Sequence, residues 1–97
     1  PIAVSLLDYA GFKYDAHLKT QRPEWSEMAK DVAYAKATWA SLRPNVRSSG
    51  LQGSFETALQ GMEEGVTQKN VALAKHAVRT ELSLVDLLEE ALARPQP

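Results

Sequence analysis

Ninety-seven residues with 44% hydrophobic content and two tryptophans make one domain with a real core to bury. The formal charge of −1 divides into seven basic and five acidic groups over residues 1–47, then four and seven over 48–97. That asymmetry is too mild, and its basic residues too scattered, to form the stripe that nucleic acid requires. The absence of cysteine removes disulfides, thiolate metal sites, iron–sulfur clusters and covalent c-type haem. No apolar run approaches the ~20 residues of a bilayer-spanning helix. A start at Pro1 rather than methionine leads us to expect a processed N-terminus, which would hide any signal peptide.

The first segment, about 2–20, gathers Val4, Leu6, Leu7, Ala10, Tyr14, His17 and Leu18, with Ala3, into one arc at 100° per residue. Asp8, Asp15 and Lys19 fall off that arc. The second segment, about 23–43, opens on Pro23-Glu24, which reads as a first helical turn with an acid near the positive dipole end. It then places Trp25, Met28, Val32, Ala35, Trp39 and Leu42 at a heptad seam before Pro44 closes it near Leu42 or Arg43. Arg47-Ser48-Ser49-Gly50 reads as a loop.

The third segment, about 51–67, aligns Leu51, Phe55, Ala58, Leu59, Met62 and Val66 against a polar face of Glu56, Gln60, Glu63 and Glu64. Gly61 and Gly65 within it are expected to permit close packing. Thr67-Gln68-Lys69-Asn70 is a turn with two candidate N-caps, Thr67 and Asn70. The fourth segment, about 70–93, carries a broad stripe from Val71 and Leu73 through Ala74, Ala77, Val78, Leu82, Leu84, Val85 and Leu88 to Leu92. Pro95-Gln96-Pro97 reads as a frayed tail. No stretch alternates with the period of a strand, and short links force antiparallel neighbours. The expected fold is therefore all-α, an antiparallel up-down four-helix bundle; a three-helix bundle with a loose first segment is the alternative.

Three polar residues fall inside the apolar arcs. Glu81 lies between Ala77, Val78, Leu84 and Val85, and Lys36 lies beside Val32 and Trp39. Antiparallel pairing puts Glu81, Lys36, Trp39 and Phe55 in one layer. Lys36 and Glu81 are then expected to form a partly buried, register-fixing ion pair, helped by the Trp39 indole; a ligand or proton site is the sharper reading. His17 lands level with Met28 at the other end of the bundle, a pair that could ligate haem or copper, although a structural core histidine fits the position better. His76 falls on the polar face.

Chemistry-bearing motifs are otherwise missing. Position 14 before His17 and position 73 before His76 are Tyr and Leu, so the Glu-x-x-His of a ferritin-like centre is absent. Neither a phosphate-cradling glycine loop nor a Ser–His–Asp context can be placed. The expectation is a protein that is not an enzyme and holds no cofactor.

Tyr9, Phe12 and Ala16, with Ile2 nearby, make a second apolar strip on the first segment, turned away from its main arc. Partner contact, self-association and a more deeply buried first helix stand side by side as explanations.

Across residues 23–90, Trp39-x-x-Leu42-Arg43-Pro44-x-Val46, Gly50-Leu51-x-x-x-Phe55-x-x-x-Leu59 and Leu82-x-Leu84-Val85-Asp86-x-Leu88-Glu89 resemble small helical domains of uncharacterised bacterial secreted proteins and lipoproteins. The resemblance implies export to the periplasm or beyond and a non-enzymatic helical module, and it supplies no functional residues. The chain is also similar to periplasmic imelysin-like iron-uptake bundles, but their His-x-x-Glu is missing, with Thr20 and Arg79 three residues after the two histidines. The expected role is thus a cell-envelope module acting through a protein partner or self-association, with a metal- or haem-binding periplasmic bundle as the alternative.

Overall fold

A computed structural model describes residues 1–93. Four helices follow one another: α1 (Ile2–Leu18), α2 (Trp25–Leu42), α3 (Ser49–Thr67) and α4 (Val71–Ala93), with a short 3-10 turn at Arg43–Asn45. Contacts run α1–α2, α2–α3, α3–α4 and α4–α1. The molecule is therefore a four-helix up-down bundle, 48 × 21 × 19 Å, in which α1 is a full member rather than a loose appendage. Strands are absent among the described residues. Residues 95–97, read above as a tail, lie outside the described residues.

The helix ends refine the sequence boundaries. α1 stops at Leu18 because its last carbonyls are taken locally: the Glu24 N–H and the Thr20 hydroxyl both donate to the His17 carbonyl, at 3.0 and 2.9 Å. α2 begins at Trp25, two residues later than the Pro23 signal suggests, with Glu24 outside the first turn. Pro44 ends it at Leu42 as expected, by shifting the backbone into the 3-10 turn. Part of the expected loop at 47–50 is instead the start of α3, since Ser48 Oγ accepts the Leu51 N–H at 3.1 Å and caps the helix two residues early. Of the two candidate caps in the last turn, Asn70 caps α4 by accepting the Leu73 N–H at 3.0 Å. Thr67 does not cap; its hydroxyl donates back to the Glu63 carbonyl.

The α3–α4 turn closes with Lys69 in the left-handed region at φ 49°. The Asn70 and Lys69 N–H groups donate to the Gly65 and Val66 carbonyls, the pairing of a Schellman cap. Lysine there occupies a position that glycine favours.

The core is continuous through the bundle. Leu7 and Tyr14 on α1, Met28 and Ala35 on α2, Phe55 and Met62 on α3, and Ala74, Val78, Val85 and Leu88 on α4 are fully enclosed. Trp39 stacks on Phe55 with ring centroids 4.6 Å apart, which places those two residues in the shared layer inferred from the helix register. The glycines of α3 do what their spacing suggests. A Cβ on Gly65 would come within 2.9 Å of the Ala74 backbone, and one on Gly61 within 3.0 Å of Ala77 Cβ. Val71, assigned to the α4 stripe, is half-exposed instead, at the first position of the helix.

Candidate functional site

Lys36 and Glu81 do not meet. The order of contacts puts α2 and α4 on a diagonal of the bundle, so a side chain at the edge of the α2 stripe faces α3. Lys36 accordingly bonds Glu63 of α3 at 2.9 Å, both partners being about half-exposed. The ion pair expected between Lys36 and Glu81 is replaced by this contact between α2 and α3. The Trp39 indole likewise turns outward, donating to Glu56 Oε2 at 2.8 Å, where the Arg43 guanidinium donates at 2.6 Å. These two donors hold the Glu56 carboxyl below the usual carboxylate range. The pairs with Glu56 and Glu63 tie α2 to α3 at the surface, where such contacts contribute little stability.

Glu81 is left alone in the core. It is wholly inaccessible to solvent, and neither carboxyl oxygen has a hydrogen-bond partner. Removal from water, and secondarily the negative charge of Asp8, push its carboxyl up to about 8. Glu81 therefore carries its proton at neutral pH. Its oxygens point at α1, where Gly11 makes room: a Cβ at that position would overlap Glu81 Oε1 and come within 2.7 Å of Leu82 Cδ2. Gly11 escaped the sequence reading although a signal existed. A lone glycine in mid-helix costs about 1 kcal/mol relative to alanine and marks close approach. It also falls in the buried series Val4, Leu7, Gly11, Tyr14, Leu18, a second heptad seam.

The other polar core feature lies at the loop end of α1. His17 Nδ1–H donates to Asp31 Oδ2 at 2.7 Å, and Nε2 stands 3.9 Å from Glu24 Oε2. Asp31 is buried, at 5% exposure. Tyr14 reaches across the bundle to donate to the Met62 carbonyl at 2.8 Å; burial, with the charge of Asp31 second, raises its phenol well above the ordinary range. The expected alternative of a His17–Met28 ligand pair finds a different arrangement, with one imidazole nitrogen committed to Asp31 and Met28 packed in the apolar core. Among the described residues, no group of three or more His, Cys, Asp or Glu side chains is placed to hold a metal ion. Asp31 was also legible in principle, since it follows Met28 by three positions and precedes Ala35 by four.

The surface strip of α1 is where the sequence placed it. Ile2, Tyr9 and Phe12 are 80%, 56% and 59% exposed, and Ala16 is open beside them. With the exposed Ser5, these residues fall at 2, 5, 9, 12 and 16, the 3-4-3-4 spacing of a coiled-coil seam about 21 Å long. α1 thus carries two seams, one facing the core and one facing solvent. The explanation by deeper burial of the first helix is removed. The Lys13 ammonium stands over the Tyr9 ring, 5.6 Å from its centroid, leaving a cation at the edge of the outer seam.

No family model, curated protein or solved structure matches this chain. Elsewhere on the surface, a groove of about 840 Å³ between α3 and α4 is lined by small residues such as Gly53, Ser54, Thr57 and Gly61, together with His76 and Glu64. It contains no convergent set of catalytic groups. No helix in the described residues is long and apolar enough to cross a membrane.

Proposed function

We propose that this chain is a non-catalytic helical-bundle module of the bacterial cell envelope, periplasmic or extracellular, that acts by docking an α-helix of a protein partner along the outer seam of α1. The observation that carries the proposal is the exposed heptad series Ile2, Ser5, Tyr9, Phe12 and Ala16, two of its members large aromatics. A bundle with a complete core has no internal use for a second seam. Exposed apolar stripes at helical spacing fit helix-in-groove or coiled-coil partners, and aromatic side chains supply most of the energy at such contacts. Lys13 at the seam's edge favours a partner helix flanked by acidic residues. The envelope setting rests on the sequence resemblance of residues 23–90.

The test compares wild type with Phe12→Asp and with Tyr34→Asp, the latter altering an exposed aromatic residue on α2. Affinity capture from envelope extracts and light scattering of the purified chains are the readouts. A partner retained by wild type and Tyr34→Asp but released about thirtyfold more readily by Phe12→Asp supports the reading. Identical capture and identical mass for all three proteins, with Phe12→Asp folded by circular dichroism, discards it. A wild-type dimer that Phe12→Asp makes monomeric would replace the heterologous partner with a second copy.

A further inference from the structure

We infer that Glu81 is a proton-controlled latch for α1: with the carboxyl protonated the helix packs on α4 through Gly11, and loss of the proton releases it. The observation is geometric. Glu81 is fully enclosed, its two oxygens are unpartnered, and the surface it meets is the bare backbone of Gly11, where even a methyl group would collide. A neutral carboxyl tolerates that environment at the cost of its missing hydrogen bonds; a carboxylate does not.

The groups packed around it give an anion no relief. α1 contributes Asp8, whose charge opposes ionisation of Glu81. On α2, Lys36 is half-exposed and engaged by Glu63, and Asp31 is engaged by His17. On α3, Glu56 is bonded to Trp39 and Arg43, while Glu63 and Glu64 are exposed. On α4 itself, Lys75, His76, Arg79 and Asp86 are all on the exposed face. The carboxylate can be stabilised only by water, and water reaches it only if α1 lifts.

Linkage sets the shape of the response. The opened form titrates near the ordinary value of 4.5 and the closed form near 8, so the opening constant rises about tenfold per pH unit between those limits and levels off above the upper one. The device is closed most firmly in acid and is loosest on the alkaline side of neutrality. This inference does not depend on what docks against the outer seam.

The experiment is amide hydrogen exchange of the whole chain from about pH 5.5 to about pH 9, corrected for intrinsic exchange, for wild type and Glu81→Gln. Amides of Leu7, Ala10 and Tyr14 report on α1, and those of Leu59 and Met62 on α3. The expected result is an α1 opening constant that grows about a hundredfold over the first two pH units in wild type, with α3 lagging and Glu81→Gln flat. A wild-type profile parallel to that of Glu81→Gln overturns the latch, as does opening of α1 and α3 in step. Should Glu81→Gln fail to fold, Glu81→Met serves as the flat reference with the same two overturning outcomes.

Discussion

Replacing Glu81 by methionine is expected to stabilise the protein, although the substitution removes a residue from the centre of the core. At pH 7 the unfolded chain holds Glu81 as a carboxylate and the folded chain holds it as an acid. Folding must therefore take up a proton against an ordinary value of 4.5, at a cost of about 3 kcal/mol when each pH unit is worth about 1.4 kcal/mol. Because the folded value is raised, the stabilising contribution of the neutral acid is fully present below pH 4.5 and is lost as the pH climbs to about 8. Methionine follows the same unbranched path toward Gly11 with no proton to take up and no unpaired oxygens. Its bulkier end must fit beside Leu82, which gives back up to about 1 kcal/mol. The net expectation at pH 7 is a gain of about 2–3 kcal/mol, or roughly 10–20 °C in Tm for a domain of this size. Urea denaturation followed by far-UV circular dichroism at pH 5, 7 and 8 reads it, with the gain shrinking to less than about 1 kcal/mol at pH 5. A destabilised methionine variant at pH 7, or a gain independent of pH, would refute the reasoning.

Three further substitutions test the packing. Lys69→Gly should stabilise by about 0.5–1 kcal/mol in the same assay, because glycine adopts the left-handed cap conformation that lysine holds at φ 49° under strain; a neutral or negative effect would count against the cap as drawn. Gly65→Ala should destabilise by about 1–3 kcal/mol, since its methyl would press on the Ala74 backbone rather than on a movable side chain, whereas Gly53→Ala, with open space around it, should be at least neutral.

The fold was legible because it depends on periodicity. The 3-4 spacing of Met28, Val32, Ala35, Trp39 and Leu42, and of Phe55, Leu59 and Met62, encodes the buried faces that the structure shows. Antiparallel register likewise brought Trp39 level with Phe55. Direction around a helix axis is harder to read, because it depends on which helices are neighbours and which are diagonal. That is why Lys36 found Glu63 rather than Glu81, and why the Trp39 indole found Glu56. The buried Glu81 was visible in its arc, but its solitude was not, since that required knowing that Lys36 bonds Glu63 and that the cations of α4 itself lie on the exposed face. Gly11 and Asp31 carried weaker signals, a helix-interior glycine and a seam-spaced acid, which apolar counting passes over. The outer seam of α1 was legible as an aromatic strip, and only the folded bundle shows it open to solvent.

The latch and the docking surface both depend on how α1 is turned: inner seam on Glu81, outer seam to water. Photochemically induced nuclear polarisation of the three tyrosines in dilute solution measures that orientation directly, because only solvent-reachable rings respond. Tyr9 and Tyr34 should polarise strongly and Tyr14, wholly buried, should stay silent. A polarised Tyr14 beside a silent Tyr9 would mean that α1 presents the opposite face, and both proposals would fall together.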